Sequence, residues 1–303
     1  MAPLERMAGV LAPVVTPFKK DLSVDSGRFI SHCQWLLDNG CAGLAVFGTN
    51  SEANSLSVAE KINLLDELVQ AGIPASKLMP GTGSCSLPDA VQLTSHAAKL
   101  GSCGVLMLPP FYYKGVSDEG LYRYFGGVIE SVANASLRVY LYHIPPVSQV
   151  PISLALTERL LRDYPGNVVG LKDSSGDWSN TQAFLTQFAS TGFDVFAGSE
   201  VFLLKNMRNG GKGCITATGN VNPGPINAVY QNWQAGNADE LQAKIDHIRQ
   251  MVQKYPMIPA LKAIIAHFNN DADWRTVRPP LVEMTPGHER ELIQELSESG
   301  FKL

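Results

Sequence analysis

Short apolar segments recur along the chain, separated by stretches long enough for one helix each. Each segment is brief, as expected of a strand that is buried on both faces. The stretches between them have helical periodicity, as at Phe29, Cys33 and Leu36, which fall on one helical face. The eight apolar segments span residues 9–15, 43–47, 77–80, 104–108, 137–142, 168–171, 193–196 and 213–215.

This alternation predicts an α/β fold, most specifically a (β/α)8 TIM barrel, with a doubly wound open sheet as the alternative. Beyond Pro223 the chain is predicted to be helical, over residues 225–234, 238–255, 259–268 and 287–298. The last three helices exceed what a barrel needs. We therefore predict a catalytic barrel over residues 1–237 and a C-terminal helical extension over residues 238–303.

Composition excludes several classes of protein. The 303 residues are 45% hydrophobic and only 17% charged, which suits a large buried parallel core. With a net charge of −4 and no basic run, nucleic acid is not an expected partner. No apolar run approaches the ~20 residues of a membrane helix, and the N-terminus lacks a signal-peptide pattern. The five cysteines include no CxxC pair and are expected to be small buried side chains in a reducing compartment, so the cytoplasm is the expected location.

Lys172 is the strongest candidate for a chemical role. It follows the apolar residues 168–171 and precedes a polar turn, so it lies at the carboxyl end of a predicted strand, where α/β enzymes place their chemistry. Burial there favours the neutral amine, the form that attacks a carbonyl to make a Schiff base. A surface lysine paired with Asp173 or Asp177 is the alternative.

Two other strand ends carry polar groups. After the second segment, Gly48 is followed by Thr49, Asn50 and Ser51, whose hydroxyls, amide and backbone N–H groups can hold a carboxylate. An ordinary Ser/Thr or Asx turn is the alternative. Tyr142 ends the fifth segment, where it can relay protons or can simply pack under the prolines that follow.

Nucleotide and metal sites are poorly supported. The segment 209–213 fails the spacing of a phosphate-binding loop, and 81–86 lacks the third glycine of a dinucleotide fingerprint. The six histidines are scattered without a ligand spacing, so no metal or cofactor is expected. The aromatic loop 109–114, which contains Tyr112 and Tyr113, either packs on itself or covers a neighbouring site or an interface.

Taken together, these motifs resemble the dihydrodipicolinate synthase / N-acetylneuraminate lyase family of Schiff-base aldolases over nearly the whole chain. The family's GxxGE loop is similar to residues 48–52, its Tyr-Asn-x-Pro strand end to 142–145, and its Lys-Asp strand to 170–173. Gly198-Ser199 matches the family's Gly-Ser pair, and residues 213–220 resemble the segment after which its C-terminal helices begin.

The resemblance implies roles for individual residues. Lys172 would form an imine with a 2-oxo acid, usually pyruvate, and Tyr142 would shuttle protons with help from Thr49. Thr49 and Asn50 would hold the pyruvyl carboxylate. Tyr113, with Tyr112 as the alternative, would complete the relay across a subunit contact. Gly198 and Ile215 would line the pocket near the imine. A homotetramer built as a dimer of dimers is also implied.

The chain departs from the family pattern at three positions. Ser51 replaces the loop glycine, and His143 replaces the asparagine after the tyrosine. Dihydrodipicolinate synthases carry an arginine two residues after Pro145, to grip aspartate semialdehyde, and here that residue is Val147. The motifs look more like those of 4-hydroxy-2-oxoglutarate aldolases.

Three functions remain in competition. The leading hypothesis is a Schiff-base lyase that cleaves a 2-oxo acid to pyruvate and an aldehyde, which makes it an aldehyde-lyase; a hydro-lyase, which eliminates water by the same Schiff-base mechanism, is the alternative class. The second is dihydrodipicolinate synthase with a different carboxylate grip. The third is a sensor that binds a 2-oxo acid without turning it over.

Overall fold

A single parallel sheet organises the protein. The computed structural model describes residues 6–303. The sheet has seven strands in the order β2-β1-β7-β6-β5-β4-β3. Strands that are consecutive in the chain are neighbours in the sheet from β3 to β7. β1 pairs with β2 on one side and with β7 on the other, so the sheet curls around. In a doubly wound sheet β1 would instead lie in the middle. The strands are β1 (Gly9–Ala12), β2 (Gly43–Leu44), β3 (Val105–Met107), β4 (Val139–His143), β5 (Val168–Asp173), β6 (Asp194–Ala197) and β7 (Gly213–Ile215).

The predicted third strand, residues 77–80, is not assigned as a strand. It lies between β2 and β3, where Leu78 forms an isolated parallel bridge with Leu44, and Gly81 forms another with Leu106. The N–H of Gly81 donates to the Val46 carbonyl at 2.7 Å on one side. On the other side Pro80 has no N–H to donate, which interrupts the ladder. Seven strands and two bridges therefore occupy the eight predicted positions.

Helices cover the outside of the sheet and form the C-terminal part of the chain. Ser57 followed three residues later by Glu60 is the sequence signature of a capping box and predicts that a helix begins there. Helix α2 does begin with this box, in which the Ser57 side chain accepts from the Glu60 N–H while the Glu60 carboxylate accepts from the Ser57 N–H. The helices are α1 (Ser26–Asp38), α2 (Val58–Gln70), α3 (Leu87–Leu100), α4 (Asp118–Val132), α5 (Pro145–Ser148), α6 (Leu154–Asp163), α7 (Trp178–Phe188), α8 (Leu203–Arg208), α9 (Pro223–Gln231), α10 (Ala238–Val252), α11 (Met257–Phe268) and α12 (Pro286–Glu298).

The buried apolar side chains form three clusters. The largest lies between the sheet and its surrounding helices. A second fills the inside of the curled sheet and includes Tyr140, Tyr142, Phe196 and Ile215. In the third, helices α10, α11 and α12 pack on one another and on residues such as Val15. The C-terminal helices therefore share a core with the segment that follows β1, and the division predicted at residues 237/238 stays a prediction.

The cysteines only partly match expectation. Four are free and buried, whereas Cys85 is exposed, so the prediction of buried side chains is wrong at this position. Cys85 lies in the short connection just before α3, and not in an apolar segment of the core. Within residues 6–303, no helix is both long and apolar enough to span a membrane. The expected cytoplasmic location stays a prediction.

Candidate active site

Lys172 and Tyr142 lie side by side on neighbouring strands. They are register partners of β5 and β4, so their side chains project to the same face of the sheet. Lys172 is 3% exposed and Tyr142 is 4% exposed. The Lys172 Nζ lies 4.4 Å from the centre of the Tyr142 ring. Lys172 is thus a buried residue inside the strand, which rules out the alternative of a surface lysine.

Thr49 reaches the same point from the loop after β2. Its Oγ1 and the Tyr142 hydroxyl are 3.1 Å apart, and either can donate the hydrogen bond. The loop that carries Thr49 is bounded by two non-glycine residues in the left-handed region, Phe47 with φ 61° and Glu52 with φ 54°. Such conformations are uncommon and are held only by strong surrounding contacts.

Ser51, which replaces the family's loop glycine, supports this loop from within. Its hydroxyl accepts a hydrogen bond from the Gly48 N–H at 3.2 Å, and its carbonyl accepts one from the Thr16 hydroxyl at 2.8 Å. Ser51 is completely buried. The replacement therefore closes the loop and adds no polar group to the cavity.

A buried ion pair fastens the far end of the loop to helix α11. The carboxylate of Glu52 contacts the Lys262 ammonium, and both side chains are fully buried. Glu52 also accepts from the Arg278 N–H at 2.9 Å, and Lys262 donates to the Thr276 carbonyl at 2.8 Å. Burial lowers the pKa of Lys262 to about 8, although the attraction of Glu52 opposes that change. Sequence reasoning missed Lys262, since it lies on a remote helix outside any motif.

One cavity of about 330 Å³ brings most of the predicted residues together. Its wall includes Thr49, Asn50, Tyr142, Lys172 and Gly198. Ile215 is completely buried in the apolar cluster below, beside Tyr142, and is not part of this wall. The roles predicted for these residues stay predictions.

Gly198 occupies a crowded position in the cavity wall. Its N–H donates to the Asp173 carbonyl at 2.7 Å, which joins the end of β6 to the end of β5. A Cβ at position 198 would come within 2.6 Å of the same carbonyl oxygen and closer still to the Ser174 hydroxyl. Only glycine fits between these groups without displacing them.

Two predicted elements lie elsewhere. Tyr113 and Tyr112 are 70% and 75% exposed and contact each other edge to face, outside the cavity wall. Within one chain Tyr113 therefore does not join the Thr49–Tyr142 pair, and its relay role depends on a subunit contact. The ring of His143 is buried, and its Nδ1 accepts from the Ile152 N–H at 3.0 Å, in agreement with a structural role.

The cavity wall also includes residues that no motif indicated, such as Arg249 and Met257 from α10 and α11 of the C-terminal helical region. Val147, which the family pattern had singled out, also lines the cavity and is 62% exposed. Over the described residues 6–303, no group of three or more His, Cys, Asp or Glu side chains is arranged to hold a metal ion.

Comparison with known proteins identifies the family of the chain. The model of the dihydrodipicolinate synthetase family matches residues 6–299. The chain belongs to this family. An uncharacterized DapA-like lyase from Chloroflexus aurantiacus is 32% identical over 279 residues, which cover 91% of this chain and 92% of that protein. The chain is therefore a member of a family of lyases and aldolases, as the motifs predicted.

Solved structures of family members have the same fold. The crystal structure of dihydrodipicolinate synthase from Agrobacterium tumefaciens aligns with a TM-score of 0.89 and 32% identity, covering 96% of this chain and 99% of that chain. YagE, a family protein from Escherichia coli crystallised in complex with pyruvate, aligns with a TM-score of 0.87 over 97% of this chain and 99% of its own. At 24% identity, this second likeness concerns the fold alone.

Proposed function

We propose that this enzyme is a Schiff-base aldehyde-lyase that cleaves a 4-hydroxy-2-oxo acid to pyruvate and an aldehyde, or forms that bond in reverse. Candidate substrates are 4-hydroxy-2-oxoglutarate and related 2-keto-3-deoxy acids. The observation that carries the proposal is the meeting of three groups in one cavity, the Lys172 amine, the Tyr142 ring and hydroxyl, and the Thr49 hydroxyl.

The chemistry follows from these groups. The neutral Lys172 amine attacks the C2 carbonyl, water leaves, and a protonated imine forms. When the 4-hydroxyl gives up its proton, the C3–C4 bond breaks, the aldehyde departs, and the electron pair moves into the imine to give an enamine. Protonation of C3 and hydrolysis of the imine then release pyruvate and restore the lysine. No metal is needed, because the imine accepts the electron pair.

Tyr142 would carry the proton in this sequence. Its hydroxyl is hydrogen-bonded to Thr49, so a proton can pass between the two oxygens without a change in the position of either ring or loop. Thr49 and Asn50, adjacent in the cavity wall, would hold the carboxylate next to the reacting carbonyl. Gly198 would leave space beside the imine, with Ile215 below it.

The proposal also covers assembly and architecture. We propose a homotetramer, a dimer of dimers, in which Tyr113 of one subunit completes the relay of another; its 70% exposure is compatible with such a contact.

We further propose that residues 78–82 complete an eight-position closed barrel over residues 1–237, and that the extension 238–303 contributes Arg249 to its site.

Dihydrodipicolinate synthase is the second candidate, because a relative of that name is 32% identical. Val147 disfavours it, since this residue lines the cavity where an arginine would grip aspartate semialdehyde. A charge-assisted contact contributes roughly 1.5–3 kcal/mol, about ten- to a hundredfold in selectivity. A sensor without activity is disfavoured by the Thr49–Tyr142 relay, which binding alone does not need.

Coupled assays separate these functions. Pyruvate release from 4-hydroxy-2-oxoglutarate and from 2-keto-3-deoxygluconate is compared with condensation of pyruvate and aspartate semialdehyde. We expect the highest kcat/KM for a 4-hydroxy-2-oxo acid. A higher kcat/KM for aspartate semialdehyde than for either 4-hydroxy-2-oxo acid would contradict the proposal, and no turnover in any assay would favour the sensor.

A further inference from the structure

Arg249 is a cation in the cavity wall, and none of the steps of the proposed reaction involves it. It lies near the end of α10, and its side chain is 16% exposed. Among the residues that line the cavity, the charged ones are Lys172, Asp173 and Arg249. Lys172 is assigned to the imine. Asp173 and Arg249 differ in how many of their hydrogen-bonding groups already have partners within the protein.

Asp173 is directed into the protein. Its carboxylate accepts from the Thr181 hydroxyl at 2.6 Å, the Ser175 N–H at 2.9 Å and the Asn180 amide at 3.0 Å. Three such contacts occupy most of the lone pairs of a carboxylate. Asp173 therefore braces the turn after β5 and is not free to bind a substrate.

Arg249 is held at one edge by Glu200. One Nη1–H donates to the Glu200 carboxylate at 3.3 Å, and Glu200, 1% exposed, also accepts from the hydroxyls of Thr216 and Thr218. The Nε–H of Arg249 has a long contact of 3.5 Å with Gln253. A guanidinium has five N–H donors in a planar fork, so the contacts recorded for residues 6–303 leave donors for a ligand.

Among the described residues, the rest of the wall offers no second positive charge for an anion. Phe202, Ala217 and Met257 are apolar, and Ser174 and Ser199 are small neutral groups. The hydroxyls of an uncharged polyol tail would accept only weaker, neutral hydrogen bonds from the guanidinium, whereas a carboxylate matches its planar fork with two charge-assisted bonds. A phosphate dianion is a poorer match, because Glu200 already balances the arginine charge in part.

We propose that Arg249 binds a second carboxylate of the substrate, at the end remote from the imine, and so selects dicarboxylic 2-oxo acids over those with neutral tails. The inference rests on the proposed function, because it takes Lys172 and the Thr49–Asn50 loop to hold the 2-oxo acid end. Arg249, in the C-terminal extension, would then hold the distal carboxylate, which the apolar side chain of Val147 cannot bind.

Binding of two probes that can form the imine but cannot be cleaved, because they lack the 4-hydroxyl, tests this directly. The probes are 2-oxoglutarate and 2-oxopentanoate, which have the same five-carbon chain and differ in the terminal carboxylate. Calorimetry on the wild-type enzyme should favour 2-oxoglutarate by roughly ten- to a hundredfold, the range of one charge-assisted contact. Arg249→Gln should reduce that preference to near one by weakening 2-oxoglutarate alone. Arg249→Lys should keep part of it, since the charge remains without the fork.

The control is Arg208→Gln, which removes the same charge from the exposed Arg208–Asp239 pair on neighbouring helices. It should retain the wild-type preference. If Arg249→Gln is poorly folded because Glu200 is left buried without its cation, the double variant Arg249→Gln/Glu200→Gln removes both charges and is used instead. Equal binding of the two probes by the wild type, or an undiminished preference in the Arg249 variant, would overturn the inference.

Borohydride trapping with pyruvate on the same samples separates the two proposals. If no adduct forms on Lys172, the proposed function fails, while the calorimetric preference still tests Arg249. If the adduct forms and the preference does not depend on Arg249, the distal grip alone is wrong.

Discussion

Replacing Tyr142 by phenylalanine should separate substrate binding from turnover. The substitution removes one hydroxyl and leaves the ring, which is 4% exposed, packed in the apolar cluster inside the sheet. The ring contact with Lys172 at 4.4 Å is unchanged, so the lysine should keep its position. The lost contact is the 3.1 Å hydrogen bond with Thr49.

The structure gives two different magnitudes for this change. Loss of one neutral hydrogen bond should lower the free energy of unfolding by about 1 kcal/mol. Loss of a positioned acid–base group should lower kcat by roughly 10²–10⁴-fold, which raises the barrier by about 3–5.5 kcal/mol. The catalytic effect should therefore exceed the stability effect several times over.

The assay follows pyruvate release from 4-hydroxy-2-oxoglutarate, coupled to lactate dehydrogenase, with denaturant unfolding measured on the same sample. Pyruvate affinity should change little, and an adduct on Lys172 should remain detectable by borohydride trapping. The matched control is Tyr122→Phe, which removes a hydroxyl bonded to Asp163 at 3.0 Å on the outer helices and should leave kcat unchanged. Near-normal kcat in Tyr142→Phe would refute the relay and leave the tyrosine a packing role only.

Three further outcomes are expected. Thr49→Val should lower kcat in the same direction, and the double variant with Tyr142→Phe should lose less than the product of the two, which a double-mutant cycle measures; strict additivity would mean separate roles. Burial lowers the pKa of His32 to about 4, so the folded state binds fewer protons than the unfolded state between pH 4 and 6.5. The free energy of unfolding should therefore fall by about 3 kcal/mol as pH drops through that window, and His32→Phe should flatten this dependence in denaturant titrations; an unchanged slope would assign it to other groups. Light scattering should give a tetramer of 32.8 kDa chains, and Tyr113→Phe should slow turnover; a fully active monomer would contradict both.

Local signals in the sequence located the candidate catalytic groups. The apolar residues before Lys172 and Tyr142 predicted strands, and parallel strands in register bring their ends together at one edge, so the two side chains were expected in one site. The capping box at Ser57 likewise fixed the start of α2, because it depends only on residues three apart.

Other features depend on contacts that local patterns do not encode. The first strand ends at Ala12 and not at residue 15, because Pro13 has no N–H to continue the pairing. Pro80 interrupts the third segment for the same reason. Arg249 lines the cavity from a helix far along the chain, and fully buried Lys262 holds the Thr49 loop through Glu52. Tertiary packing determines both contacts, while the sequence neighbours of both residues follow ordinary helical patterns.

We propose that Lys172 forms an imine with a 2-oxo acid, and borohydride reduction of that imine detects it on the lysine itself. The enzyme is incubated with saturating pyruvate, reduced with borohydride, digested and mapped by mass spectrometry, with Lys172→Arg and the double variant Glu52→Gln/Lys262→Met, which removes both charges of the buried pair, as comparison variants. We predict one adduct, on the peptide that contains Lys172, absent in Lys172→Arg and retained in Glu52→Gln/Lys262→Met. An adduct on another lysine, or none under saturating pyruvate, would contradict it.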